Sequence, residues 1–195
     1  MALILHDLED AQASAEGCSL CYLEAYQVRR YLEGVANDGV NNIPLRQKLE
    51  RRGGYCKPHS VQFAEIASPL SAAILLESFA KQRLGRAAKG QAPQRIDCEA
   101  CEVVTNTHKG LLKSIKRNRR LPELEQALLA ARLCIAHAGD VSTFMSEVFR
   151  HRLKSQFNQD LGHLAELIRK HDYRFNHEKV SEEEKQSIAQ LLKRL

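Results

Sequence analysis

The sequence lacks tryptophan, an export signal and any long hydrophobic run. Its N-terminal residues have neither the basic start nor the long apolar stretch of a signal peptide, and acidic residues follow at once. The most apolar internal run, around Ala72 to Leu76, is far shorter than the roughly 20 residues that span a bilayer. We therefore expect a cytoplasmic protein with no membrane partner.

No cysteine stands alone, because all six fall into one pattern that occurs twice. Each copy has a Cys-x-x-Cys pair followed by a Cys-x-x-His pair, and the eight residues are Cys18, Cys21, Cys56, His59, Cys98, Cys101, Cys134 and His137. Three thiolates and one imidazole fill all four positions of a tetrahedral zinc ion and leave none open for a substrate. The pattern predicts two structural zinc ions and no enzyme.

Two alternatives remain open on the spacing alone. The same ligands can hold an iron–sulfur cluster in a redox or maturation protein, although cluster motifs more often use four cysteines. Cys18 and Cys21 can share an ion with Cys56 and His59 of the same copy. They can equally share it with the corresponding pair, Cys134 and His137, of the other copy.

The two copies form an internal repeat. The Cys-x-x-Cys pairs are offset by 80 residues, the Cys-x-x-His pairs by 78, and a proline precedes each of the latter by 12 residues. A repeat this long indicates a supersecondary unit that packs against its neighbour. We expect a first Cys3His module over residues 1–84, a linker over 85–97, a second Cys3His module over 98–180 and a C-terminal helix over 181–195.

Apolar residues recur at helical spacing, and no segment shows a convincing strand pattern. The predicted helices cover residues 22–35, 45–52, 59–66, 71–84, 101–115, 122–133, 141–169 and 182–195. Gly53 and Gly54 end one helix through positive φ, and Ser181 with Glu184 forms a capping box. The fold class is therefore all-α, with two tandem zinc-clipped helical modules in one body. Each ion would join two helix N-termini, whose N–H groups stabilise thiolates.

Positive charge is concentrated in one segment. The chain carries a net charge of +5, yet residues 81–120 alone hold eleven Lys or Arg against three acids. The densest group is Lys109, Lys113, Lys116, Arg117, Arg119 and Arg120. Four of these recur every three or four residues, which aligns them on one helical face that can contact phosphates. A solvated surface explains the group equally well, so nucleic acid stands beside a protein as a candidate partner.

A second cluster covers residues 169–175. Adjacent His171 and Asp172 suggest acid–base chemistry, and Arg174 beside two aromatic rings suggests an anion contact. No nucleophile accompanies them, so we favour a structural role in which Tyr173 and Phe175 fill the core.

These motifs together resemble an uncharacterised bacterial family of unknown function, over nearly the whole chain. The resemblance lies in Cys18-x-x-Cys21, Gly54-Tyr55-Cys56-x-x-His59, the second such set, and Arg-Lys-His-Asp-Tyr-Arg-Phe at 169–175. Members commonly have proline after the first cysteine of each pair, where this chain has Ser19 and Glu99. The resemblance implies a helical, metal-binding bacterial protein and brings no substrate. We expect a zinc-binding scaffold for a protein or nucleic-acid partner.

Overall fold

The fold is built from α-helices. A computed structural model describes residues 3–37, 39–92, 95–175 and 177–195. Its helices are α1 Leu3–Ser14, α2 Ser19–Asn37, α3 Ile43–Arg51, α4 Lys57–Ile66, α5 Pro69–Ala88, α6 Glu99–Asn118, α7 Pro122–Ala130, α8 Ile135–Ser142, α9 Glu147–Lys170 and α10 Glu182–Leu192. A short 3₁₀ turn covers Gly39–Asn41, and no strand occurs among the described residues. The predicted all-α class is confirmed.

Side-chain caps set several helix boundaries. Asn42 accepts a hydrogen bond from the Leu45 N–H at 3.1 Å and so begins α3. At α10, Ser181 accepts from the Glu184 N–H at 3.2 Å, while the Glu184 carboxylate accepts from the Ser181 N–H at 2.9 Å. The predicted capping box is confirmed.

Three segments differ from the predicted helices. Helix α1, whose Ile4 and Leu8 are almost fully buried, was not predicted. The long helix predicted over 141–169 begins too early, because α8 ends at Ser142 and the Ser146 hydroxyl caps α9 by accepting from the Phe149 N–H at 3.0 Å. Most of α8 lies before the predicted range. Helix α5 extends into the predicted linker, in which Pro93 and Gln94 lie outside the described residues.

The chain divides into two compact units. Unit 1 comprises Met1–Leu23 and Lys109–Leu195, and unit 2 comprises Glu24–His108. The two boundaries fall within α2 and α6. The predicted modules follow the order of the sequence repeat, whereas unit 1 is assembled from the two ends of the chain.

Each unit has its own core. In unit 1, α1 packs on α7 through Leu8, Leu124 and Leu128, all fully buried, with Phe149 of α9 in the same cluster. In unit 2, the Tyr55 ring lies 5.8 Å from the ring centroids of both Phe63 and Phe79. Aromatic contacts at this spacing add stability beyond their buried area. These cores hold the helix ends that carry the cysteines.

Candidate metal centres

The eight predicted ligands collect into two groups of four. Site 1, in unit 1, contains Cys18, Cys21, Cys134 and His137; site 2, in unit 2, contains Cys56, His59, Cys98 and Cys101. Within each group, every residue offers one donor atom, and these atoms lie within 4.8 Å of one another. The donors of each group are therefore close enough to share a single ion.

The pairing is crossed with respect to the repeat. In both sites the Cys-x-x-Cys of one copy meets the Cys-x-x-His of the other, so the pairing within modules is not the one that forms. A backbone hydrogen bond also joins the two half-motifs of each site. The Ser19 N–H donates to the Ala131 carbonyl at 2.9 Å in unit 1, and the Asp97 N–H donates to the Arg52 carbonyl at 2.9 Å in unit 2.

The donor distances in site 1 match one tetrahedral ion. The Nδ1 atom of His137 lies 3.5 Å from Cys18 Sγ, 3.3 Å from Cys21 Sγ and 3.2 Å from Cys134 Sγ. The sulfurs of Cys21 and Cys134 are 3.7 Å apart. Zinc–sulfur bonds of about 2.3 Å and a zinc–nitrogen bond of about 2.0 Å place tetrahedral donors about 3.8 Å apart for two sulfurs and about 3.5 Å for sulfur and nitrogen.

Site 2 repeats this geometry closely. The Nδ1 atom of His59 lies 3.2 Å from Cys56 Sγ, 3.4 Å from Cys98 Sγ and 3.4 Å from Cys101 Sγ. The sulfurs of Cys56 and Cys101 are 3.7 Å apart. In both sites Nδ1 is the histidine atom that faces the three sulfurs.

Every half-motif lies at the start of a helix, as predicted. Cys18 and Cys98 directly precede α2 and α6. Cys56 and Cys134 are the N-cap residues of α4 and α8, and neither uses its side chain to cap the helix. The sulfurs of Cys56 and Cys134 therefore remain available as ligands. In the first turns of α2 and α6, the Cys21 and Cys101 N–H groups donate to the sulfurs of Cys18 and Cys98.

A left-handed residue stands two positions before each Cys-x-x-His. In unit 2 this residue is Gly54, with φ of 77°, and a Cβ atom there would lie 2.6 Å from the Phe79 ring. In unit 1 the equivalent residue is Arg132, with φ of 47°. Sequence reasoning found the glycine turn and missed the arginine, because arginine does not signal positive φ.

Local hydrogen bonds favour thiolate at the first cysteine of each Cys-x-x-Cys. A hydrogen bond from the Cys21 thiol lowers the pKa of Cys18 far below its usual range, and the Cys134 N–H contributes to the same effect. Burial raises the pKa of Cys98, but the N–H groups of Cys56 and Cys101 more than offset it, so the pKa is lowered. Thiolate is the form that binds a metal ion.

At Cys21, Cys101 and His59 the pKa shift favours the neutral form. Hydrogen bonding to the Cys18 sulfur raises the pKa of Cys21, while burial raises that of Cys101 to about 12. Burial lowers the pKa of His59 and so favours the neutral imidazole, which is the ligating form. A bound cation would replace the thiol protons that the sulfurs share.

Charged residues outside the motif hold the two halves of site 2 together. Arg52 contacts the Asp97 carboxylate at 3.0 Å and the Glu102 carboxylate at 2.7 Å, and Lys48 pairs with Glu99. These contacts connect α3 to the start of α6. Sequence reasoning missed them, although basic residues beside one half-motif and acids beside the other were a usable signal.

The predicted candidates in residues 169–175 lie at the end of α9, where two of them pair with each other. Arg174 pairs with Asp172 at 2.8 Å and lowers its pKa, while His171 is the C-cap of α9. Tyr173 is 81% exposed, so its predicted core position is wrong, because the chain turns at the end of α9 with that ring outward. Phe175 is half-buried between the guanidinium groups of Arg169 and Arg174.

The six basic residues predicted as an anion-binding group are all exposed. They are Lys109, Lys113, Lys116, Arg117, Arg119 and Arg120, of which the first four lie on α6. Among the described residues, none of the helices has the length and apolarity needed to cross a bilayer.

A sequence profile of one protein family matches residues 2–182. The chain belongs to this family of unknown function, DUF6062. No curated protein and no solved structure matches the chain. Membership of DUF6062 confirms the predicted resemblance to an uncharacterised family and assigns no activity. The function is therefore argued from the geometry of the two sites.

Proposed function

We propose that the protein is a helical binding module whose two units are each held together by one structural zinc ion. The observation that carries this proposal is the donor geometry, which is nearly identical in the two sites and matches a single tetrahedral ion. Four protein donors fill such an ion, so no coordination position is left for a substrate or an attacking water. The proposed role is structural rather than catalytic.

The distances favour a single ion over an iron–sulfur cluster. In a four-iron cluster each protein ligand binds a different iron, so the ligands surround a body of several atoms. Here the sulfur pairs of 3.7 Å are edges of one small tetrahedron. Three thiolates and an imidazole form a donor set that zinc readily takes. None of the six cysteines is in a disulfide, which suits the reducing cytoplasm that we propose as its compartment.

Each ion would fasten helices that are distant in sequence. Site 1 joins the start of α2 to the start of α8, and site 2 joins the start of α4 to the start of α6. Structural zinc contributes about 10–16 kcal/mol in small peptides, whereas a whole domain is stable by about 5–15 kcal/mol. Each unit is therefore expected to depend on its ion for folding.

Elemental analysis of protein purified without added metal tests the proposal. We expect two zinc ions per chain and a colourless solution. A strong chelator should lower both the helical circular dichroism signal and the Tm. A brown preparation containing iron and sulfide would support the cluster alternative, and a chelator-treated protein with an unchanged melt would contradict a structural role.

The folded units expose two kinds of surface to a partner. Apolar side chains are exposed on the last two helices, with Ile168 of α9 and Leu192 of α10 each 66% exposed. Basic side chains are exposed along α6. The first surface suits a protein partner and the second suits nucleic acid. Replacing the basic residues separates these two versions of the binding role.

A further inference from the structure

The basic face of α6 has the properties of a phosphate-binding surface. We define this face as Lys109, Lys113, Lys116, Arg117 and Arg120, the last of which follows the helix. We infer that it binds the phosphate backbone of double-stranded nucleic acid without reading the base sequence. This inference rests on the proposed binding role and names the partner.

The packing of α6 fixes the basic face outward. Ile115 is fully buried in the core of unit 1, and Leu111 and Leu112 pack against that core while half-buried. The cations occupy the other side of the same helical segment and are exposed. Because the apolar side is committed to the core, the segment cannot rotate its charges away from solvent.

Within the described part of the chain, no acidic side chain pairs with the basic face. Residues 109–120 include no Asp or Glu, and none of the five cations forms an ion pair with another described residue. Several cations elsewhere in unit 1 are paired, as with Arg169 and Glu178 at 2.5 Å or Lys170 and Glu184 at 2.7 Å. A row of unpaired cations produces a positive potential that attracts polyanions.

The spacing along the helix suits a phosphate backbone. Lys109, Lys113 and Lys116 lie on one side of α6 and span about 10 Å of helix axis at about 1.5 Å per residue. One DNA strand presents a phosphate every 3.4 Å or so along its axis, so about three phosphates fall within that length. Arg117 and Arg120 extend the same surface.

The side chains around the basic face disfavour other partners. Residues 109–120 contain no aromatic ring on which a single-stranded base could stack. They also contain no exposed large hydrophobic side chain to insert into a lipid surface. The Asn118 side chain donates to the Ser114 carbonyl at 2.9 Å and so is occupied within the helix. Of these partners, the basic face therefore suits the phosphate backbone of a duplex.

The test is fluorescence anisotropy with a mixed-sequence DNA duplex. We expect binding at low salt that weakens steeply as salt rises, with a logarithmic slope of about −0.9 for each phosphate contact. The variant K109Q/K113Q/K116Q should flatten this slope by about 2.7, because it removes three contacts. The matched control K89Q/K154Q/K179Q replaces three exposed lysines elsewhere and should bind like wild type.

Several outcomes would overturn the inference. They are failure of wild type to bind at low salt, equal weakening by both triple variants, or tighter binding to single strands or anionic vesicles than to duplex. Both variants must retain the wild-type zinc content and Tm, which separates this result from the metal proposal. Duplex binding by protein that contains no metal would leave the inference standing and contradict the proposed structural ions.

Discussion

The two candidate metal sites share their ligands and distances but differ in burial. In site 1, Cys18, Cys134 and His137 are buried and Cys21 is exposed. In site 2, Cys98 is buried, Cys101 is exposed, and the other two ligands are half-buried. Donor geometry is set by the local motif at each helix start, whereas solvent access is set by the surrounding helices. Two ions with the same coordination geometry would therefore leave the two sites at different rates.

The largest expected effect comes from removing ligands in pairs. C18S/C134S damages site 1 alone and should leave one zinc ion per chain. C18S/C56S damages both sites and should leave none, with a large loss of helical signal, because structural zinc contributes about 10 kcal/mol or more per site. Zinc content by elemental analysis and circular dichroism provide the readouts.

The reverse result would contradict the crossed pairing. If C18S/C56S kept one ion while C18S/C134S lost both, each ion would be held within one copy of the repeat. The variant K154Q, which lies outside the eight candidate ligands, serves as a control that should keep both ions.

A smaller effect should distinguish the turns before the two Cys-x-x-His pairs. Gly54→Ala places a methyl group against the Phe79 ring at positive φ, so we expect a loss of about 2–4 kcal/mol. Arg132→Gly relieves the strain of a left-handed arginine and should gain about 1 kcal/mol. Urea unfolding of the zinc-loaded protein measures both changes.

Arg132→Ala is the control for the gain at that turn. Alanine keeps a Cβ atom at positive φ while removing the charge, so its stability should stay close to wild type. A gain from Arg132→Ala equal to that from Arg132→Gly would mean that charge, rather than backbone strain, sets the stability there.

A modest difference is expected in the rates of metal loss. Because site 2 is more exposed, a chromogenic chelator should remove its ion several-fold faster than the ion of site 1. Wild type should release metal in two phases, and Cys56→Ser, which disables site 2, should lack the fast phase. If Cys56→Ser instead lacked the slow phase, burial would not control exchange.

The smallest expected effect concerns a link in unit 1 between α9 and α10. The hydrogen bond from Lys170 lowers the pKa of Glu184 below the ordinary value of 4.5. A carboxylate with a lowered folded-state pKa contributes stability that is fully present above its unfolded pKa and is lost as pH falls through the folded value. Glu184→Gln should therefore lower the Tm slightly at neutral pH.

The pH dependence of this variant checks the sign. The Tm difference between Glu184→Gln and wild type should shrink in acid, since the wild-type carboxyl is then protonated. Glu182→Gln is the matched control, because Glu182 pairs with Lys185 on the exposed side of α10. A Tm difference that grew as pH fell would rule out the Lys170 contact as its source.

Local chemistry made much of the fold and the eight candidate ligands predictable. The soft-ligand spacing identified eight residues, and the Gly53–Gly54 turn and the Ser181 cap identified helix boundaries. These features depend on a few neighbouring residues. They are visible without knowledge of what the rest of the chain does.

The crossed pairing could not be predicted, because it depends on which apolar faces pack together. Helix α1 was not predicted, yet its packing on α7 is what joins the N-terminal segment to the second half of the chain. The start of α9 at Glu147 was not predicted either. Helix α8 ends at Ser142, and the Ser146 cap begins α9 four residues later inside a continuous helical pattern.

The crossed arrangement also sets an order on synthesis. All four candidate ligands of site 2 lie between Cys21 and Cys134 in sequence, so an ion could bind at site 2 before one binds at site 1. A nascent chain is made from its N-terminus onward. More than 110 residues must therefore be added after Cys21 before Cys134 and His137 are available. The thiols of Cys18 and Cys21 would therefore stay without their partner ligands during synthesis, after all four ligands of site 2 have been made, until the last third of the chain leaves the ribosome.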